Sequence, residues 1–336
     1  MSAEPRYWQI SAGDDQREYA KDFLDFGIAF VGKEKPKLTA MRAIAVGDRI
    51  ILKRGMSEII SVGEVVERDG CHRGENDKDW LRDFDGWDLP AYCYVNWRKL
   101  PGPIGSTGLT RGTIRGVNQL SLRAKVEALL QEHTNHDRKP EPPMAEEVSD
   151  EEMLFFLVRQ GLRPSVANEL TATLSRIRLL ARYYYDCCRW EDVREHETRT
   201  FLVIPLLLAL GWAEQQLKIE LGTCDRGRID IACFARAFSA DGPNDCRLIV
   251  ETKGFSQGLV NAPDQVKRYA ASFPECQVVL VTNGYCYKAF NKMANGRFSE
   301  EPCAYLNLLR PRNRYRKAAP ESDGCLEILR LLLPNA

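Results

Sequence analysis

Three residues in the carboxyl-terminal half of the chain have the types and spacing of a hydrolytic metal site. Asp230 lies in "RGRIDIACF", and Glu251 and Lys253 lie in "LIVETKG". Side chains two apart on a strand share a face, so Glu251 and Lys253 point the same way. If the two segments pair as a hairpin centred near Asp241, Asp230 lies roughly opposite Glu251, and carboxylates and an ammonium converge on one patch. Magnesium takes one or two carboxylates plus water and phosphate oxygens. An ammonium beside it orients an attacking water or offsets charge on a phosphate in the transition state. The constellation therefore suits metal-assisted phosphodiester hydrolysis. Taken alone, an Asp and a Glu at strand ends with Lys253 as their ion-pair partner is the better account of these residues.

The elements that must position them belong to a soluble-looking chain with ordinary composition. At 336 residues it exceeds what one hydrophobic core usually fills, so two domains are expected. Hydrophobic residues make up 44% and charged residues 28%, and the 47 basic residues balance 47 acidic ones, so no global field announces a polyanionic partner. The start, "MSAEPRYWQI", has no basic segment followed by a long apolar run and is no secretory signal. The apolar run 201–212 is too short to cross a bilayer, and no membrane partner is expected. Eleven scattered cysteines without a Cys-x-x-Cys pair, beside only four histidines, point to reduced thiols in a cytoplasmic protein rather than a disulfide framework or a structural zinc site.

One composition break divides the chain. "DRKPEPPMAEEVSDEE", 137–152, combines prolines with a surplus of acid, as a solvated linker does. The expected organisation is an amino-terminal domain over 1–133, a linker over 134–150, a helical connector over 151–190 and a carboxyl-terminal domain over 191–336. Short apolar runs between Gly and Asp turns make the first domain a small sheet or barrel. Ser149 and Glu152 form a capping box that opens a helix, and Gly161 is placed to stop it. Leu170, Leu174 and Ile177 recur at helical spacing in the next helix. These helices either join the domains or form a subunit contact. A further helix runs through "EHETRTFLVIPLLLALG", where Pro205 removes a backbone donor and bends it.

From about Glu195 to Tyr287, "EHETRTFLVIPLLLALGW", "RIDIACF", "LIVETKG", "QVKRYA" and "VVLVTNGYCY" occur in an order and spacing that resembles the amino-terminal nuclease domain of type I restriction R subunits, a branch of the PD-(D/E)XK superfamily. The resemblance implies an α/β restriction-endonuclease-like fold in which Asp230, Glu251 and Lys253 bind metal and catalyse cleavage. It also implies a metal-site glutamate on the first helix, matched best by Glu195, with Glu197 as second choice. The family's Gln-x-x-x-Tyr element maps onto Gln265 and Tyr269, one helical turn apart. The cofactor implied is Mg2+ or Mn2+. Thr252, between Glu and Lys, is expected to point away from the site. No Gly-x-x-x-x-Gly-Lys-[Ser/Thr] occurs, so the motor of a type I subunit is absent and no ATP requirement is expected. The basic run Arg310, Arg312, Arg314, Arg316 and Lys317, interrupted by Tyr315, reads equally as a phosphate-holding stretch or a solvated face.

In the amino half, "RYWQISAG", "GDRIILKRGMSEIISVGEVVE" and "DGWDLPAYCYVNWRKL" together resemble the EVE branch of the PUA-like superfamily, which includes YTH and SRA-type modified-base readers. That resemblance implies a compact β-barrel with an aromatic-lined pocket for one flipped base. Trp8, Phe30, Trp80, Trp87, Tyr92 and Trp97 supply aromatics, with Trp97 better placed in the core. Ser11, Asp14 and Asp88 supply polar edges. The base pocket is accordingly assigned to Trp8, Ser11, Phe30, Trp87, Asp88 and Tyr92. Many EVE sequences carry a Trp where this chain has Lys33. Arg111 and Arg115 offer a phosphate-facing edge, or a solvated loop.

A base-reading module joined to a motor-less nuclease suggests a modification-dependent restriction endonuclease. Its expected substrate is double-stranded DNA carrying modified cytosine, cut by a homodimer in defence against foreign DNA. The alternatives are a nuclease gated by a small nucleotide signal, and a nucleic-acid base reader whose nuclease has decayed.

Overall fold

The computed structural model describes residues 4–14, 17–187, 193–223, 227–239, 245–259, 262–270, 272–315 and 323–334. The chain divides into two compact units, Met1–Glu141 and Pro142–Ala336. Among the described residues no helix is long and apolar enough to cross a membrane.

The first unit is built on an eight-stranded sheet that curls into a half-barrel. Along its main path the strands run in the order Ile114–Gly116, Tyr7–Ser11, Arg49–Arg54, Glu58–Val65, Ala91–Trp97 and Ile28–Val31. Tyr7–Ser11 and Arg49–Arg54 are parallel, while Arg49–Arg54 and Glu58–Val65 form the hairpin that their alternating apolar residues anticipate. Gly55, with φ of 59°, begins the tight connection between them, a left-handed backbone that costs glycine nothing. The run "IIL" is apolar throughout because both faces of its strand are covered. Ile50 and Leu52 join the aromatic core, whereas Ile51 packs with Leu122, Val126, Leu129 and Leu130 of the helix Leu120–Glu132.

The second unit carries a six-stranded sheet in the order Leu217–Gly222, Arg228–Phe234, Cys246–Thr252, Val278–Thr282, Cys286–Asn291 and Ala304–Asn307. Among the described strands of this sheet only Cys246–Thr252 and Val278–Thr282 pair in parallel, and the helix Ala262–Ala270 lies on the crossover that a parallel pair requires. The helices expected to form a connector belong instead to this unit. Leu170, Leu174, Ile177 and Ala181 of Pro164–Cys187 share one hydrophobic core with the sheet, because an apolar stripe at helical spacing is stable only when covered. Ser149 caps Asp150–Arg159 as its sequence signature requires, with its Oγ accepting the Glu152 N–H at 3.2 Å and its own N–H donated to Glu152 at 2.7 Å.

The stretch read as a linker is tethered. Lys139 pairs with Asp25 at 2.8 Å and Glu141 with Lys78 at 2.6 Å in the first unit. In the second, the Val148 N–H bonds the Pro311 carbonyl at 3.1 Å. Its prolines and acids signal irregular backbone, which need not be loose backbone. The bend expected at Pro205 takes a specific form. Glu195–Thr198 is α-helical, Arg199–Val203 widens into a π turn and Ile204–Ala209 resumes the α-helix. The Ile204 N–H reaches five residues back to the Arg199 carbonyl. Pro205 has no N–H to continue the ladder, and the wider turn accommodates that loss.

Candidate functional site

The strands Arg228–Phe234 and Cys246–Thr252 pair antiparallel with Ile231 opposite Val250, which sets Asp230 opposite Glu251. Backbone pairing between the two strands ends at Ile231 and Val250. The next inward-facing donor, the N–H of Thr252, is taken by Asp230 Oδ2 at 2.6 Å, and the Thr252 hydroxyl donates to the same oxygen at 2.9 Å. Thr252 therefore does not turn away from the site as expected: a side-chain carboxylate replaces the backbone acceptor at the end of the ladder, and the threonine is drawn to it.

The other oxygen of Asp230, Oδ1, accepts from Arg199 Nη1 at 3.1 Å. Arg199 is 8% exposed, and its Nη2 donates to Glu220 Oε1 at 2.9 Å. Lys253 Nζ meets Glu251 Oε1 at 2.5 Å. Glu251 is 2% exposed; burial first, then the charge of Asp230, push its carboxyl up to about 7 although Lys253 pulls the other way. Glu195 is likewise raised, by burial first and then by Asp230. Glu195, Asp230 and Glu251 therefore act on one another electrostatically, with more negative charge than their surroundings comfortably hold.

This geometry separates the two glutamates of the first helix. Glu197 accepts the Arg194 N–H at 2.8 Å and so caps the helix, whereas Glu195 is the one coupled to Asp230. Gln265 Nε2 lies 3.5 Å from the Tyr269 hydroxyl, and the Tyr269 ring packs over Gly227, where a Cβ would collide with it. Gln265 thus pairs within its own helix, one turn along, rather than with the carboxylates. Sequence reasoning missed Arg199 and Glu220. Arg199 stands four residues after Glu195, a helical spacing that was a usable signal; Glu220 stands opposite Asp230 only by strand register, between the pairs Ile219–Ile231 and Leu221–Ile229.

The donor set suits a hard divalent cation in kind, since buried, mutually repelling carboxylates are what such an ion neutralises. The arrangement as it stands is closed. Both oxygens of Asp230 are engaged, and among the described residues no group of three or more His, Cys, Asp or Glu is disposed to hold a metal ion.

In the first unit the expected base pocket is not assembled as proposed. Phe30, 2% exposed, is held among Tyr19, Phe23, Trp80 and Phe84 at centroid distances of 5.6, 4.5, 6.3 and 5.0 Å. Tyr92, also 2% exposed, packs against Tyr94 and donates its hydroxyl to Asp77 at 2.7 Å. Both are core residues, because alternate positions on their paired strands face the aromatic interior, and neither offers a face for a base. Trp97 is core as expected. Trp8 is partly buried; its Nε1 donates to Asp48 at 2.9 Å and the Arg6 guanidinium lies 5.6 Å from its ring. Ser11 Oγ donates to the Gly13 carbonyl at 3.1 Å. Asp14 has no described side chain. Trp87 and Asp88 stand partly exposed at a tight bend where Phe84 and Trp87 exchange backbone bonds of 2.9 and 3.1 Å.

Arg111 and Arg115 are exposed. Arg312 is not a surface phosphate ligand: it pairs with Glu147 at 3.0 Å and donates to the Ala145 carbonyl at 3.3 Å, pinning the chain that enters the second unit. Arg314 is partly buried and bridges through its backbone to Asp323. Tyr315 stacks on Tyr305 at 4.5 Å in the core, so it cannot serve the basic run as a stacking platform. Arg316 and Lys317 lie outside the described residues.

No family model matches the chain, and no curated protein matches it. Solved structures similar to it include the YTH domain of Zygosaccharomyces rouxii MRB1 in complex with N6-methyladenosine RNA, at 12% identity and a TM-score of 0.27, covering 39% of this chain and 90% of that one. The Pho92 YTH domain in complex with m6A is similar at 14% identity and a TM-score of 0.27, covering 38% of this chain and 85% of that one. A likeness of this size does not extend to what those domains bind.

Proposed function

We propose that the chain is a metal-dependent endonuclease in which the second unit cleaves phosphodiester bonds and the first selects DNA carrying a modified base, cytosine being the preferred candidate. The observation that carries the reading is the convergence of Asp230, Glu251 and Lys253 at one end of two paired strands, with Glu195 of the helix Glu195–Thr198 in electrostatic reach of both carboxylates. Once Asp230 releases Arg199, Glu195, Asp230 and Glu251 would be the residues to hold Mg2+ or Mn2+, which would supply a Lewis acid and an activated water. Asp230 and Glu251 are fixed by their strands, and Thr252 orients Asp230 through both of its donors. Lys253, anchored on Glu251, carries an ammonium that can stabilise the charge gathering on phosphate oxygens. Burial of Glu251 keeps water from screening that interaction. In the first unit, Trp8 and Trp87, both half-buried, are the expected pocket aromatics that remain to stack on a flipped base, with Asp88 to read its edge. Two strands need two hydrolytic events, so the active species in this reading is a pair of chains.

A panel of modified and plain duplexes, incubated with Mg2+ and no nucleotide, tests this. Cleavage of modified duplex by the native chain is expected, with Asp230→Ala and Lys253→Ala losing cleavage while retaining duplex binding. Full activity in either variant removes the catalytic assignment. Cleavage only after a small nucleotide is added would transfer the role of the first unit from base reading to signal binding.

A further inference from the structure

We propose that Arg199 is a resident cation that holds the carboxylate cluster closed, and that Glu220 is built to retain it when Asp230 turns to a metal ion. This rests on the metal-site reading above and explains why a fitting donor set is closed as it stands.

The guanidinium bridges Asp230 Oδ1 at 3.1 Å and Glu220 Oε1 at 2.9 Å. Its two carboxylates differ in surroundings. Asp230 has a side chain 12% exposed and the Thr252 donors on its other oxygen, while Glu220 is 48% exposed. Glu220 occupies the strand position directly opposite Asp230, yet it adopts φ of 52°. That backbone is disfavoured for any residue with a Cβ, and the strand pairing resumes on both sides of it. Glu220 also accepts from Arg228 at 3.2 Å through its second oxygen. The edge strand thus presents a carboxylate to Arg199 that does not belong to the buried cluster. A planar guanidinium with separate N–H groups can span two carboxylates and release one while keeping the other. Thr252 would continue to hold Oδ2 when Oδ1 is released.

Titration of the full-length protein with Mn2+, with free Mn2+ followed by electron paramagnetic resonance, tests the idea without reference to cleavage. Arg199→Met removes the competing cation, and Mn2+ should bind roughly three- to tenfold more tightly than to the native chain. Glu220→Gln removes the alternative partner, leaves Arg199 to Asp230, and should weaken Mn2+ binding by about threefold. A purely structural role for Arg199 would weaken binding in both variants, so opposite signs are the signature. If the Met variant fails to fold by circular dichroism, Arg199→Lys replaces it: one ammonium cannot span both carboxylates, and a smaller gain is expected. Native protein that binds Mn2+ while neither Arg199 variant binds it more tightly overturns this inference and leaves the metal-site reading in place. If neither the native protein nor Arg199→Met binds Mn2+, both are overturned.

Discussion

Asp230 accepts two hydrogen bonds from Thr252 on one oxygen, at 2.6 Å from its N–H and 2.9 Å from its hydroxyl. A residue lying between the Glu and the Lys of the candidate motif is therefore a direct partner of the Asp. Thr252→Val keeps the shape and the N–H but removes one buried donor. It should lower unfolding free energy by roughly 1 kcal/mol in urea titration, with circular dichroism as readout. Unchanged stability would mean that the hydroxyl does not engage the carboxylate.

Metal-free protein should lose stability as pH rises. Burial holds the Glu251 carboxyl up at about 7, above the usual glutamate range, so through that window the folded chain binds more proton than the unfolded one. Stability is then greatest toward the lower end of the window and declines until pH passes about 7. Glu195, raised in the same direction, adds to the slope. Melting temperatures in EDTA from about pH 5 to about pH 8 should show this decline in the native chain and a shallower one in Glu251→Gln. Parallel profiles would show that Glu251 does not titrate in that range.

Phe30 and Trp87 should separate stability from recognition. Phe30→Ala empties a position surrounded by four aromatic rings and should cost about 3–5 kcal/mol of stability. Trp87→Ala, at a partly exposed bend, should leave a folded protein that no longer prefers modified over plain duplex in competition binding. A folded Trp87→Ala protein that keeps the preference would remove Trp87 as a base reader.

The arginines should divide in the same way. Arg111→Ala and Arg115→Ala alter exposed side chains and should each reduce the slope of log affinity against log salt by about one, as loss of a phosphate contact does. Arg312→Ala breaks a pair with Glu147 and should lower stability while leaving that slope unchanged. A shallower slope in Arg312→Ala would return it to the nucleic-acid surface.

Local pattern was enough to read the capping box at Ser149, the apolar stripe of Leu170, Leu174 and Ile177, the hairpin after Asp48 and the pairing of Asp230 with Glu251, because each depends on helical spacing, strand alternation or turn chemistry within a short stretch. The distinction between Glu195 and Glu197 was not legible there, since it depends on which carboxylate the helix start consumes as a cap. Nor was the burial of Phe30, Tyr92 and Tyr315, since an aromatic side chain suits a core and a stacking platform equally until its neighbours are fixed. The sequence by itself determined the periodic elements and the residue types available to the site. Only the tertiary structure decided that Arg199 and Glu220 join Asp230: the four-residue spacing sets Arg199 on the same helix face as Glu195 but does not say which carboxylate its guanidinium meets from the π turn, and the glutamate arrives from a left-handed position on an edge strand.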